Sequence, residues 1–203
     1  MRFSAKSERK SKKYFEKEDI FMIYVFLADG FEEVEALATV DMLRRCEFEV
    51  QTVGVKLLDV KGSHGIVVLA DNIDSMIQVN DDIEAIVLPG GMPGTLNLEK
   101  SEYVNVTIDW CAEHGKVIAA ICAAPSILGH KGLLDNKRAT CFPGFENQLG
   151  KAQYTGDYVT RDGNIITGKG AGVTLDFAFE IASALGKGEK AKNVRASVQC
   201  SNA

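Results

Sequence analysis

The chain has 203 residues, 46% of them hydrophobic, and a formal charge of −5, which suits one soluble domain with a single substantial core. No stretch reaches the roughly 18 to 20 apolar residues that cross a bilayer, and the first twenty residues lack the apolar centre of a secretion signal. A cytoplasmic protein without a membrane partner is therefore expected. Residues 1–21 hold seven Lys or Arg against four Asp or Glu, and that basic excess of three leaves the rest at −8. An acidic body argues against nucleic acid as a partner, because phosphate binding draws on clustered Lys and Arg.

Residues 1–20 are charged and almost free of aliphatics, so residues 1–21 are expected to form a flexible extension and 22–203 a single domain. Met22 stands where the first strand begins, which makes it an alternative start. Residues 22–28 (MIYVFLA) have the short continuous apolar run of a fully buried strand, and 29–46 read as a helix in which Val34, Leu37, Ala38 and Met42 recur at helical spacing. A strand at 48–54 follows. The turn-rich KGSHG (61–65) leading into IVVLA (66–70) predicts a hairpin, and EAIVLPGG (84–91) a buried strand ending in glycines.

Ser101 is placed as the N-cap of a helix running to Glu113, with Gly115 ending it before a buried strand at 116–122. Residues 123–131 and 173–186 read as helices, 138–142 and 163–167 as strands, and 189–200 as a short terminal helix. Strands alternating with helices imply an α/β fold with a mainly parallel sheet covered on both faces.

Ligands of open parallel sheets gather beyond the carboxyl ends of the strands. Three segments fall there: Asp29 to Glu35, Pro89 to Gly94, and Cys122 to Pro125. Cys122 closes an apolar strand within A-A-I-C-A-A-P, where only small residues surround it. That is the steric pattern of a nucleophile elbow, and a helix N-terminus just beyond it would lower the thiol pKa. A cysteine after four apolar residues can equally be a small buried hydrophobe, and spacing alone does not decide. The acids Glu32, Glu33 and Glu35 can likewise do no more than complement a helix dipole. The five cysteines lack C-x-x-C spacing, which fits a reducing compartment and argues against structural zinc, so no metal is expected.

Taken together, LADGFEEVEA (27–36), IVLPGG (86–91) and AAICAAPSIL (119–128) resemble the ThiJ/PfpI superfamily in order and spacing. The similarity runs from Met22 to about Gly186 and is greatest to the branch of the human Parkinson-disease deglycase and bacterial ThiJ-like proteins. It implies a flavodoxin-like three-layer sandwich, class I glutamine amidotransferase-like, usually a homodimer. It also implies catalytic roles for Cys122 as nucleophile and Glu35 as its proton-bearing partner. The backbone amides of Gly90 or Gly91 and of Ala123 would form an oxyanion hole, and His64, where the human relative has an arginine, would reach substrate directly or across a dimer.

Departures from the superfamily narrow the chemistry. Ala123 stands where the protease and amidase branch has a histidine, and Phe142 stands before Pro143 where some closer relatives have one. His114 and His130 lie on elements away from a dyad and read as structural or surface residues. Cys46, Cys111 and Cys141 read as packing residues, and Cys200 as a tail cysteine. The glycine-rich 168–182 lacks the Lys-Ser or Lys-Thr of a phosphate loop.

The resemblance therefore points to a cofactor-independent enzyme of glyoxalase or deglycase type, acting on small α-oxoaldehydes and turning methylglyoxal into lactate. The alternatives are a redox-sensing stress-protective protein working through Cys122 oxidation, and an amidase or protease. A legacy label of thiazole monophosphate biosynthesis also travels with the superfamily, although no phosphate motif supports it.

Overall fold

A computed structural model describes residues 21–200, so the expected extension at 1–21 lies, but for its last residue, outside the described residues. The elements run β1 Met22–Leu27, α1 Glu33–Arg45, β2 Glu49–Gly54, β3 Asp59–Lys61, β4 Val67–Leu69, β5 Asn72–Ile73, β6 Ile83–Leu88, α2 Gly94–Lys100, α3 Glu102–Glu113 and β7 Val117–Ile121. They continue with α4 Pro125–His130, β8 Arg138–Ala139, β9 Gln153–Tyr154, β10 Val159–Asp162, β11 Ile165–Gly168, α5 Thr174–Ala184 and α6 Gly188–Ser197.

Seven strands form the central sheet in the order β10-β11-β7-β6-β1-β2-β5, parallel throughout except for the antiparallel edge pair β10 and β11. Alternation along β1 explains why it sits in the middle. Ile23, Val25 and Leu27 point into a core shared with Ala36, Val40 and Leu43 of α1, Phe177 and Ile181 of α5, and Val194 of α6. Tyr24 and Phe26 point into the opposite core, with Leu98, Val104, Ile108, Cys111, Ile127 and Leu128. Two helical layers thus enclose one sheet, giving the three-layer α/β sandwich expected. Among the described residues no helix is long and apolar enough to cross a membrane.

The expected helix over 101–113 forms, and the Ser101 hydroxyl accepts from the Val104 N–H at 3.3 Å, capping its first turn. The hairpin forms too, as β3 and β4 in a separate antiparallel pair. Elsewhere the sequence expectations need correction. The apolar stripe of α1 runs through Ala36, Val40 and Leu43, while Val34 is more than half exposed. Helix α2 and strand β10 are additions, and β8 is confined to Arg138–Ala139.

Strand order matters most for function. The chain leaves β1 for β2 on one side and returns to β6 on the other, so the carboxyl ends of β1, β6 and β7 stand next to one another. A crevice opens where the order reverses. The loops 28–32 and 89–93 and residue 122 all emerge at that edge.

Candidate active site

Cys122 directly follows β7 and has φ 65°, in the left-handed region that a non-glycine residue adopts at a cost of order 1 to 3 kcal/mol. Its backbone is held on both sides: its N–H donates to the Gly168 carbonyl at 2.9 Å and its own carbonyl accepts from the Phe142 N–H at 2.8 Å. Ala123 and Ala124 turn the chain into α4, and side chains of that size leave the elbow room to turn. The result is a half-buried thiol aimed out of a strand end, whereas Cys46, Cys111 and Cys141 are buried in the core.

Glu35, in the first turn of α1, has no exposed surface. Its Oε2 accepts from the Gly90 N–H at 2.8 Å, and its carboxyl lies within hydrogen-bonding reach of the Cys122 thiol. Oε1 is buried with no formed partner, so the contact with sulfur is close without being an aligned hydrogen bond. Burial pushes the Glu35 pKa up to about 7, against the lowering effect of the Gly90 amide and the thiol, with the charge of Glu32 adding to the rise.

The thiol shifts the opposite way from the sequence expectation. Burial first, then the charge and hydrogen bond of an ionised Glu35, push Cys122 up to about 12, although the amides of Ala123 and Gly91 act to lower it. The short helix α4 does not outweigh a carboxylate at contact distance. Two acids this close do not both ionise readily near neutral pH. They titrate as a pair that holds one proton over a wide range.

Gly90 sits between them. A Cβ there would lie 2.6 Å from Cys122 Cβ, 2.8 Å from Glu35 Oε2 and 3.0 Å from the Ile121 carbonyl oxygen. Gly91 has φ 90°, and its Cβ would meet the Glu32 nitrogen at 2.5 Å. Gly90→Ala is expected to wedge the pair apart and to cost about 1 to 3 kcal/mol of stability, measured as a lower urea midpoint. An unchanged midpoint would contradict this packing.

The expected oxyanion hole changes accordingly. The Gly90 amide is occupied by Glu35, which leaves Gly91 and Ala123, whose N–H groups approach the sulfur. His64 is not brought to Cys122. It stands 70% exposed in the hairpin turn, where Glu33 captures it: Glu33 Oε1 accepts from the His64 N–H at 2.8 Å, and Oε2 lies 3.0 Å from Nδ1. Although burial works to raise the Glu33 pKa, the His64 ring, its own amide and those of His64 and Ile66 hold it down to about 2. The hydrogen bond to Glu33 and the charges of Glu32 and Glu33 raise the His64 pKa.

A cavity of about 280 Å³ opens over the thiol, lined by Glu32, Glu35, Gly91, Met92, Cys122, Ala123, Phe142, Phe145 and Ala171. No histidine lines it. His114 stacks on Trp110 with ring centroids 4.1 Å apart, and His130 pairs with Glu99. Met92 lies in the Pro89 to Gly94 segment expected at this edge without being singled out, and sequence reasoning overlooked Phe145 and Ala171. Met92 carried a signal, since it directly follows the Pro-Gly-Gly turn, whereas Phe145 and Ala171 come from loops whose paths depend on the whole fold.

A cysteine on a strained elbow, partnered by a buried acid at the carboxyl edge of a flavodoxin-like sheet, defines an α/β protein of the cysteine-elbow class. The chain belongs to the DJ-1/PfpI family, which it matches over residues 22–184. It is 37% identical over 174 residues to protein dj-1beta of Drosophila melanogaster, covering 84% of this chain and 92% of that one. It is 29% identical over 165 residues to the glutathione-independent glyoxalase DJR-1.2 of Caenorhabditis elegans, covering 80% and 87%. A crystal structure of a DJ-1 superfamily protein from Salmonella typhimurium superposes with a TM-score of 0.83 at 33% identity, covering 88% of this chain and 97% of that one.

Proposed function

We propose that the protein is a cysteine-dependent, cofactor-independent enzyme that converts small 2-oxoaldehydes to 2-hydroxy acids. The observation that carries this reading is the Cys122–Glu35 pair, a nucleophile and a proton carrier in contact within one cavity. A glyoxalase among the relatives supports it.

The sulfur of Cys122 adds to the aldehyde carbon while the aldehyde oxygen takes up a proton, forming a hemithioacetal. For this the pair's single proton must sit on Glu35. In that tautomer the orphaned Oε1 acquires a use, donating to the thiolate while Oε2 keeps its bond to Gly90. Glu35, as carboxylate, then removes the proton from the former aldehyde carbon, and protonation of the neighbouring carbon from the enediol gives a thioester. Oxidation at one carbon balances reduction at the next, so no external redox partner enters. Water cleaves the thioester, releasing the hydroxy acid and regenerating the thiol. The Gly91 and Ala123 amides are placed to stabilise the oxyanion.

The test is lactate formation from methylglyoxal without glutathione. Lactate above the buffer rate supports the reading, and none above it sinks the reading for this substrate.

The same proposal includes a homodimer. Val34 of α1 and Ile66, Val67 and Leu69 of the hairpin are each more than half exposed, and Glu33 ties these two elements together. Burial of such a patch drives association. Leu69→Asp is expected to convert a sedimenting dimer to a monomer; a wild-type monomer at micromolar concentration would refute the dimer.

A further inference from the structure

The cavity over Cys122 has two chemically different halves. Glu35, Cys122 and the amides of Gly91 and Ala123 form a polar floor. Met92, Phe142, Phe145 and Ala171 form an apolar wall. Among the described residues no Lys, Arg or His lines it, and Glu32 adds a carboxylate, so a phosphate or carboxylate on the substrate would meet one like charge there. This lining favours a neutral occupant.

Size and exposure carry the inference further. The cavity, about 280 Å³ and open to solvent, is larger than a three-carbon aldehyde. Phe142 and Met92 are 47% and 45% exposed, although both are large and apolar. Phe142 does not drift freely. Its N–H is bonded to the carbonyl of the nucleophile's own residue, and its ring rests against Gly170, where a Cβ would come within 3.2 Å of Cδ2. A ring anchored to the reacting residue, yet half bare, presents apolar surface to whatever binds the sulfur.

We propose that Phe142, with Met92 and Phe145, makes the site selective for 2-oxoaldehydes bearing an aryl or branched alkyl substituent over methylglyoxal. This rests on the reading of Cys122 as a nucleophile toward aldehydes. The aldehyde carbon meets Cys122, the carbonyl oxygen faces the Gly91 and Ala123 amides, and the substituent covers the Phe142 ring. Contacts of this kind discriminate by roughly ten- to a hundredfold.

Two measurements on the full chain decide it. The first is the ratio of kcat/KM for phenylglyoxal to that for methylglyoxal, expected to exceed about ten in the wild type, to fall at least about fivefold in Phe142→Ala and Phe142→His, and to be largely kept in Phe142→Leu. A wild-type ratio of one or below, or a ratio that Phe142→Ala leaves unchanged, overturns the proposal. The second reads the cavity without turnover: the rate of Cys122 alkylation by 2-bromoacetophenone, in which the sulfur displaces bromide, relative to iodoacetamide, followed at the Cys122 peptide by mass spectrometry. Phe142→Ala is expected to lower that relative rate about fivefold against wild type, and Phe142→Leu to retain it. Equal relative rates in all three proteins overturn the selectivity. If neither aldehyde is consumed, the enzymatic reading fails by itself, and the alkylation ratio still decides whether the cavity favours apolar groups.

Discussion

Cys122→Ser lowers lactate formation from methylglyoxal by at least about a thousandfold, the scale on which loss of a covalent nucleophile is felt. The substitution exchanges sulfur for a smaller oxygen and leaves untouched the two backbone bonds that shape the elbow, from the Cys122 N–H to Gly168 and from Phe142 to the Cys122 carbonyl. Folding is thus preserved, and unchanged urea unfolding of the variant checks that point. A serine hydroxyl titrates far above a thiol, and Glu35, holding its proton to about 7, is a poor base for it at neutral pH. Retention of even a tenth of wild-type activity would remove Cys122 from the chemistry.

Glu35→Gln is the second large effect, and it has two readouts of opposite sign. The amide can still accept from Gly90 but cannot carry a proton between carbon and oxygen, so kcat falls about 10² to 10⁴-fold. Stability moves the other way. Glu35 is raised in the folded state from 4.5 to about 7, so its favourable contribution is complete below pH 4.5 and is lost as pH rises through about 7. Over that window the unfolded chain releases a proton that the folded chain keeps, and stability declines by about 3 kcal/mol before levelling off. Glutamine does not titrate. Relative to Glu35→Gln, the wild type is therefore expected to lose about 3 kcal/mol between pH 4.5 and pH 8 in urea unfolding. Linkage counts protons on the pair, so the outcome is the same whether carboxyl or thiol gives one up. A constant difference across this range would show that Glu35 is ionised and solvated.

Much of the fold was legible because the buried strands advertise themselves. The runs at 22–28 and 116–122 are apolar on both faces, and only a sheet covered twice accommodates them. Strand β10 was harder to read, since VTRD carries two charges and sits at an edge; its one signal is the Asp162-Gly163 turn before β11. Helix α2 was hidden by glycines and prolines on its N-terminal side. In α1 the expected stripe was partly misplaced: Met42 is buried, but Val34 is exposed and Leu37 and Ala38 are half-buried, while Glu35 and Ala36 turn inward.

The site was legible in part. Small residues around Cys122 signalled the elbow, and the positive φ is the physical reason for them. The pairing with Glu35 came from the family resemblance, since neither spacing nor composition singles it out from Glu32 and Glu33. His64 was placed near substrate, directly or across a dimer, from the family resemblance, which could not register the buried carboxylate of Glu33 that holds it within this chain. The helix end that lowers a thiol pKa was visible in sequence, whereas the burial and the Glu35 carboxyl that raise it are visible only in three dimensions.

The two bonds that hold the nucleophile's peptide reach forward in the chain, to Phe142 and to Gly168. During synthesis, which proceeds from the N-terminus, strands β1 to β7 emerge before either partner exists. Until Gly168 has left the ribosome, the Cys122 amide lacks its acceptor and the elbow is held only from its carbonyl side, by Phe142. The reactive centre is thus among the last parts of the molecule to be assembled, and a nascent or prematurely terminated chain carries the cysteine without its geometry.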